Sequence, residues 1–206
     1  MDSRNTAGTS LTCVIDTADA RRRARATLLE ARRALPARAR LAADAAIRDR
    51  VAGLLAARAW PLAGRVIAAY WPIHGEPDLR PLFADWTAAG ALLALPVVTG
   101  RDEPLRFARH APGDALRAGV HGTFEPAGAD WVEPDVVIVP CVGFSSEGWR
   151  LGYGGGYYDR TLAGHAGLLL GVAYDECELA GLRPDPHDVA LSCIVTQERL
   201  VDCVPA

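Results

Sequence analysis

Four glycines fall within five positions at Gly152, Gly154, Gly155 and Gly156, with Arg150 just before them and Asp159 just after. Glycine lacks a Cβ, so such a bend can take positive φ and bring its amides close to a ligand. Amides grouped in this way, with the first turn of a helix behind them, make a seat for phosphate. Arg150 adds a permanent cation at the mouth of the bend. Asp159 adds a carboxylate where a divalent ion can bridge to that phosphate. Tyr153, Tyr157 and Tyr158 stand among the glycines, which a plain surface turn does not require. These residue types together describe a nucleotide-phosphate site.

Missing residues narrow the kind of site. The chain contains no lysine, so a P-loop, which requires Gly-Lys-Ser/Thr, is excluded. A Rossmann fingerprint fails because Tyr157 occupies its third glycine position. Schiff-base and pyridoxal chemistry also require a lysine. A seat of this kind would serve phosphoryl transfer, which depends on positioning and charge neutralisation more than on a general base. Each residue also has a plainer use. Arg150 can cap a strand or pair with Glu147, and Asp159 can complement the dipole of its own helix. Tyr157 and Tyr158 diverge by about 100° on a helix, so one packs inward and the other faces ligand. The sequence leaves open which.

The elements that must position this bend follow from periodicity. Val136 to Phe144 reads as a strand buried on both faces, and Tyr157 to His165 as the helix after the bend. Upstream, Ala20 to Leu35 is rich in alanine, leucine and arginine, all good helix formers. Pro36 interrupts, and a second helix is predicted from Pro36 to Ala57. Arg65 to Trp71 reads as a strand, Leu79 to Ala89 as a helix ending at Gly90, and Ala91 to Val98 as a buried strand. Further strands are predicted over Leu105 to Arg109, Leu168 to Tyr174 and Ala190 to Thr196. The alternation predicts an α/β fold: an open, mainly parallel sheet with helices on both faces and an N-terminal helix pair. Ligands on such sheets sit beyond the carboxyl ends of strands. Trp71–Glu76 and Gly143–Tyr158 both follow strands in that sense and can line one cleft.

With its neighbours, the glycine segment resembles the 5-formyltetrahydrofolate cyclo-ligase family. The signature is Pro140-Cys141-Val142-Gly143-Phe144 followed by Arg150-Leu151-Gly152-Tyr153-Gly154-Gly155-Gly156-Tyr157-Tyr158-Asp159. Other pieces stand in the family's order: Arg21 and Arg25, Leu35-Pro36, Tyr70-Trp71-Pro72 with Gly75-Glu76, Glu125-Pro126, and Pro184-Asp185-Pro186-His187-Asp188. The resemblance implies an ATP- and Mg²⁺-dependent cyclisation of 5-formyltetrahydrofolate to 5,10-methenyltetrahydrofolate. It implies ATP contacts from Arg21, Arg25 and the run Arg150 to Tyr158. It implies folate contacts from Trp71, Glu76 and Tyr153 to Tyr157, metal contacts from Asp159 and Asp188, and catalytic roles for Arg150 and Tyr157. The chain departs from the family at Tyr153 and Gly155, where some members carry lysine or arginine, and at Arg21, often a lysine. Read without the resemblance, Arg21 to Arg25 is a solvated helix face, Glu76 an exposed loop carboxylate and Trp71 a core residue.

Composition sets the remaining bounds. At 206 residues the chain suits one domain, expected over 18–206, behind a disordered tail over 1–17. A net charge of −3 argues against a general nucleic-acid surface, so the expected partners are small molecules. No apolar run approaches the ~18 residues of a membrane span, and residues 1–17 lack a signal pattern. Five scattered cysteines without a C-x-x-C pair argue against a disulfide framework or structural zinc. The expectation is a cytoplasmic protein, monomeric or weakly oligomeric. Two other readings stand beside the cyclo-ligase: a folate- or nucleotide-binding paralogue without turnover, and a different enzyme on a similar sheet.

Overall fold

The structure is a computed structural model and describes residues 14–57 and 61–203. Residues 1–13 of the expected tail lie outside that range. The expectation is corrected over Ile15–Thr17. Ile15 bridges to Leu182, its N–H donating to the Gly181 carbonyl at 2.8 Å. Thr17 caps the first helix, its hydroxyl accepting from the Ala20 N–H at 3.1 Å.

Helix α1 spans Ala18–Ala34, with Asp19 in its first turn and exposed Arg33 in its last, matching the dipole at both ends. Proline 36 stops it, since the residue before a proline is pushed out of helical geometry. Helix α2 (Ala37–Ala57) buries Ile47, Val51 and Leu55 on one face. The chain then runs β1 (Val66–Ala68), α3 (Pro81–Ala88), β2 (Leu92–Val97), β3 (Arg106–Arg109), β4 (Leu116–Ala118), β5 (Phe124–Pro126) and β6 (Trp131–Val132). It continues through β7 (Val136–Pro140), β8 (Gly143–Phe144), β9 (Arg150–Leu151), α4 (Tyr157–Leu162), β10 (Leu168–Val172), β11 (Cys193–Val195) and β12 (Leu200–Asp202).

Eight strands form one sheet in the order β12-β11-β10-β7-β1-β2-β3-β6. The inner five are parallel, and antiparallel strands close both margins. Strands β7 and β10 are apolar throughout because helices cover both faces of a parallel sheet. The step from β1 through α3 to β2 runs toward one margin; the step from β7 through α4 to β10 runs toward the other. Right-handed crossovers in opposite directions put α3 and α4 on opposite faces. The architecture is therefore the open, mainly parallel sheet that the alternation predicts. Among the described residues, no helix is long and apolar enough to cross a membrane.

The predicted strand Val136 to Phe144 is corrected: the sheet strand ends at Pro140. Cys141 still donates to the Val172 carbonyl at 3.0 Å, but Val142 turns away to the Leu151 carbonyl at 2.9 Å. Residues Gly143 and Phe144 then pair with Leu151 and Arg150 as a separate antiparallel ribbon. Proline lacks the N–H that a ladder needs. The Arg32 guanidinium also takes the Cys141 carbonyl at 2.6 Å, so that corner faces α1.

The chain order reverses between β1 and β7, which makes their carboxyl ends the switch point where such sheets bind ligands. The segment after β1 carries Trp71 and Glu76. The segment after β7 carries the glycine bend.

Candidate active site

A cleft of about 500 Å³ opens at this switch point. Its lining includes Arg21 and Arg25 from α1, Trp71 and Glu76 after β1, the whole run Arg150–Asp159, and Asp188. Every residue that the sequence singled out for ligand or metal thus meets in one place.

Helix α1 divides its arginines by face. Arg22 and Arg23 pair outward with Asp19 and stay exposed. Arg21 and Arg25, four apart, turn inward. The Arg21 Nη2 donates to Asp188 Oδ2 at 2.8 Å and to the Arg183 carbonyl at 2.5 Å. The Arg25 Nε donates to the Gly152 carbonyl at 2.7 Å, which lays its guanidinium along the bend. A Cβ at Gly154 would stand 3.4 Å from that guanidinium carbon, and Gly154 also holds φ +96°. Arg25 has no ion pair among the described residues, so its charge faces the cleft unneutralised.

Arg150 is not an open cation at the mouth of the bend, nor does it pair with Glu147. It is 6% exposed and donates to the Val189 carbonyl at 2.5 Å and to Asp159. Burial raises the Asp159 carboxyl above its ordinary range, Arg150 pulls it down, and neighbouring Asp188 raises it further. Two carboxylates that repel across a cleft suit a divalent cation. No three His, Cys, Asp or Glu side chains cluster as a metal cage among the described residues. The donor set fits Mg²⁺ held by two carboxylates plus phosphate oxygens, a common arrangement for that ion.

Glu76 is 4% exposed, not the exposed loop carboxylate of the plainer reading. A tight turn places it: His74 and Gly75 take φ of +50° and +74°, and the Glu76 N–H closes on the Ile73 carbonyl at 3.0 Å. Its carboxylate accepts from the Ile73 N–H at 2.8 Å and from the Tyr153 hydroxyl at 2.9 Å. The second bond joins the two halves of the cleft. Burial pushes the carboxyl up to about 7, against the opposing pull of the Ile73 and Tyr153 bonds and of Arg32.

This has a measurable effect on folding. Between the ordinary carboxyl range and about 7, the folded protein keeps a proton that the unfolded chain has released. Stability contributed by the protonated form is therefore present in acid and lost as pH rises through that window, by on the order of 3 kcal/mol. Urea unfolding of ligand-free protein at pH ~5 and ~8 measures it. Glu76→Gln should flatten the dependence; an unchanged slope in that variant would place the titration elsewhere.

Both tyrosines line the cleft: Tyr158 also packs against the core, and Tyr157 lies under the Arg160 guanidinium, 5.1 Å from its ring centre. Trp71 lines the cleft too, with Arg80 5.0 Å from its ring centroid and Phe124 at 6.2 Å. Sequence reading missed Phe124 as a cleft residue, and left Glu125 as a motif fragment. Glu125 is buried beside the cleft, accepting from the Val98 N–H at 3.1 Å and pairing with Arg117. It also missed Arg32, 2% exposed, which donates to the Tyr153 hydroxyl at 3.4 Å. The signal was present: 21, 25, 28 and 32 form one helical stripe.

Fold and cleft together define an α/β protein whose glycine bend and arginines line a cleft at the switch point of its sheet. A model of the 5-formyltetrahydrofolate cyclo-ligase family matches residues 17–197. The chain belongs to the 5-formyltetrahydrofolate cyclo-ligase family. It is 33% identical over 187 residues to the 5-formyltetrahydrofolate cyclo-ligase of Mycolicibacterium smegmatis, covering 85% of this chain and 92% of that protein. The Escherichia coli K12 protein of the same name is 33% identical over 144 residues, 65% of this chain and 79% of that one. The solved structure of 5,10-methenyltetrahydrofolate synthetase from Aquifex aeolicus superposes with a TM-score of 0.75 at 32% identity, covering 90% of this chain and 94% of that one.

Proposed function

We propose that the protein converts 5-formyltetrahydrofolate to 5,10-methenyltetrahydrofolate at the expense of ATP, releasing ADP and phosphate, with Mg²⁺ as the metal. One observation carries this reading: Tyr153, on the glycine bend, donates directly to Glu76. A carboxylate suited to pterin N–H groups and a backbone seat suited to phosphate are therefore neighbours in one cleft.

The formyl oxygen attacks the γ-phosphorus and ADP departs. N10 then attacks the activated carbon, loses its proton as the C–N bond forms, and phosphate leaves with the C–O electron pair. Glu76 accepts from the pterin, with Trp71 as an apolar wall. The amides of Gly152–Gly156, Leu151, Tyr158, Arg21 and Arg25 hold the triphosphate. Tyr153, Gly154–Gly156 and Tyr157 stand beside the formyl group. Arg150 neutralises charge on the transferring group, and incoming phosphate competes with Asp159 for its Nη2 donor. Asp159 and Asp188 hold Mg²⁺, which when bound neutralises the phosphate oxygens.

Purified protein given Mg-ATP and 5-formyltetrahydrofolate should show the methenyl chromophore and ADP rising one for one. Both ligands bound at full stoichiometry with no turnover would favour the non-catalytic paralogue. Absence of binding and of product from folded protein would reject the reading.

A further inference from the structure

Arginine in the last turn of a helix ordinarily complements the dipole from solvent, as Arg33 does at the end of α1. Arg32 does the opposite: it is 2% exposed and turned into the protein. Its Nη2 donates to the Cys141 carbonyl at 2.6 Å, with Val142 at 3.5 Å, where the chain leaves the sheet. Its Nη1 donates to the Tyr153 hydroxyl at 3.4 Å. Its stem lies under the Glu76 turn, for a Cβ on Gly75 would stand 3.5 Å from the Arg32 Cγ. One guanidinium thus touches the β7–β8 corner and the glycine bend while its stem supports the Glu76 turn.

Burying an arginine without a carboxylate partner is costly, and Arg32 has no ion pair among the described residues. Its Nε also lacks a hydrogen-bond partner. Such a group persists where it fixes a geometry that other groups depend on. The dependent group here is Tyr153, whose oxygen accepts from Arg32 while its proton goes to Glu76. The series Arg32 → Tyr153 → Glu76 joins a helix, the phosphate bend and the folate subsite.

We infer that Arg32 is a positioning residue that locks the glycine bend onto the Glu76 subsite through Tyr153, so that filling one subsite orders the other. The inference rests on the folate and phosphate assignments above. Coupling of this kind is reciprocal: folate should tighten ATP binding by the same factor that ATP tightens folate.

The groups around Glu76 are Arg32 from α1, Arg40 from α2 against the Gly75 turn, His74 of that turn, Tyr153 from the bend, Tyr70 just after β1 and Tyr158 from α4. Burial raises all three phenols above their ordinary range, and among the causes acting on Glu76 the Arg32 cation pulls its carboxyl down. Removing the Arg32 cation must therefore raise the Glu76 midpoint.

The test uses Arg32→Met, Arg32→Lys, Tyr153→Phe and the Arg32→Met/Tyr153→Phe double variant in the full chain. Carbon-13 NMR of glutamate-labelled, ligand-free protein should show the Glu76 midpoint higher in Arg32→Met and near wild type in Arg32→Lys. Each single change should raise the KM for 5-formyltetrahydrofolate by about tenfold or more, the loss of a charge-assisted link, with the double variant no worse than the singles. Strictly additive effects, or a folded Arg32→Met with an unmoved midpoint, would overturn the inference. Should Arg32→Met not fold, Arg32→Lys decides: it lacks the fork, so a wild-type KM there would overturn the inference and a raised KM with an unmoved midpoint would support it. The NMR arm needs no turnover. An inactive wild-type protein would contradict the reaction, while a midpoint displaced by Arg32→Met would still support the link.

Discussion

Arg150→Ala is expected to remove activity and weaken the fold at once. Arg150 is nearly buried, and its two partners, Asp159 and the Val189 carbonyl, lie on different segments. Truncation leaves the Asp159 carboxylate beside Asp188 with its cation gone. Breaking a buried ion pair from one side destabilises by about 3–5 kcal/mol; Asp159 keeps 30% side-chain exposure, which places this case at about 3 kcal/mol or less. Turnover should fall by about 10²–10³, the usual effect of removing a donor aimed at developing charge. Urea midpoints and kcat at saturating ATP separate the two effects. A stable variant with normal kcat would remove Arg150 from both roles.

Glu76→Gln should act differently. The amide keeps the shape, its oxygen can still accept from Ile73, and its nitrogen can donate to the Tyr153 oxygen. The fold should therefore hold, with the pH slope described above flattened. Binding of 5-formyltetrahydrofolate should weaken by about 10- to 150-fold, since hydrogen bonds to a charged group contribute about 1.5–3 kcal/mol. ATP affinity measured in the absence of folate should change little. If Arg150→Ala and Glu76→Gln gave the same pattern on both ligands, the division of the cleft into a phosphate side and a pterin side would be wrong.

What was legible in the sequence was whatever local chemistry dictates. Glycines at 152 and 154–156 announce a backbone seat because no other residue takes φ of +96° and +67° so freely. Apolar runs at β2, β7 and β10 announce a parallel sheet because only strands buried on both faces are so uniformly apolar. The carboxyl ends of the strands followed as the ligand side, while the order that makes β1 and β7 a switch point came with the fold. What stayed hidden was set by pairings distant in the chain. Arg32 reads like its neighbour Arg33 until the β7–β8 corner, 109 residues away, is folded against it. Arg150 and Asp159 each looked available for ligand, and nothing in their spacing says that they hold each other. The β4–β5 hairpin that brings Phe124 and Glu125 to the cleft is short and half polar, so it carries no period-two signal. The end of β7 was missed because Pro140 breaks an apolar run whose composition continues unchanged through Phe144.

The proposed reaction centres on a transfer of phosphate to the formyl oxygen, for which a glycine bend tied to the Glu76 carboxylate is the proposed site. The most direct measurement is isotopic. Substrate carrying oxygen-18 in its formyl group, turned over with unlabelled Mg-ATP, should release inorganic phosphate bearing one labelled oxygen per methenyl product. Unlabelled phosphate, with the heavy oxygen appearing in water, would contradict that transfer.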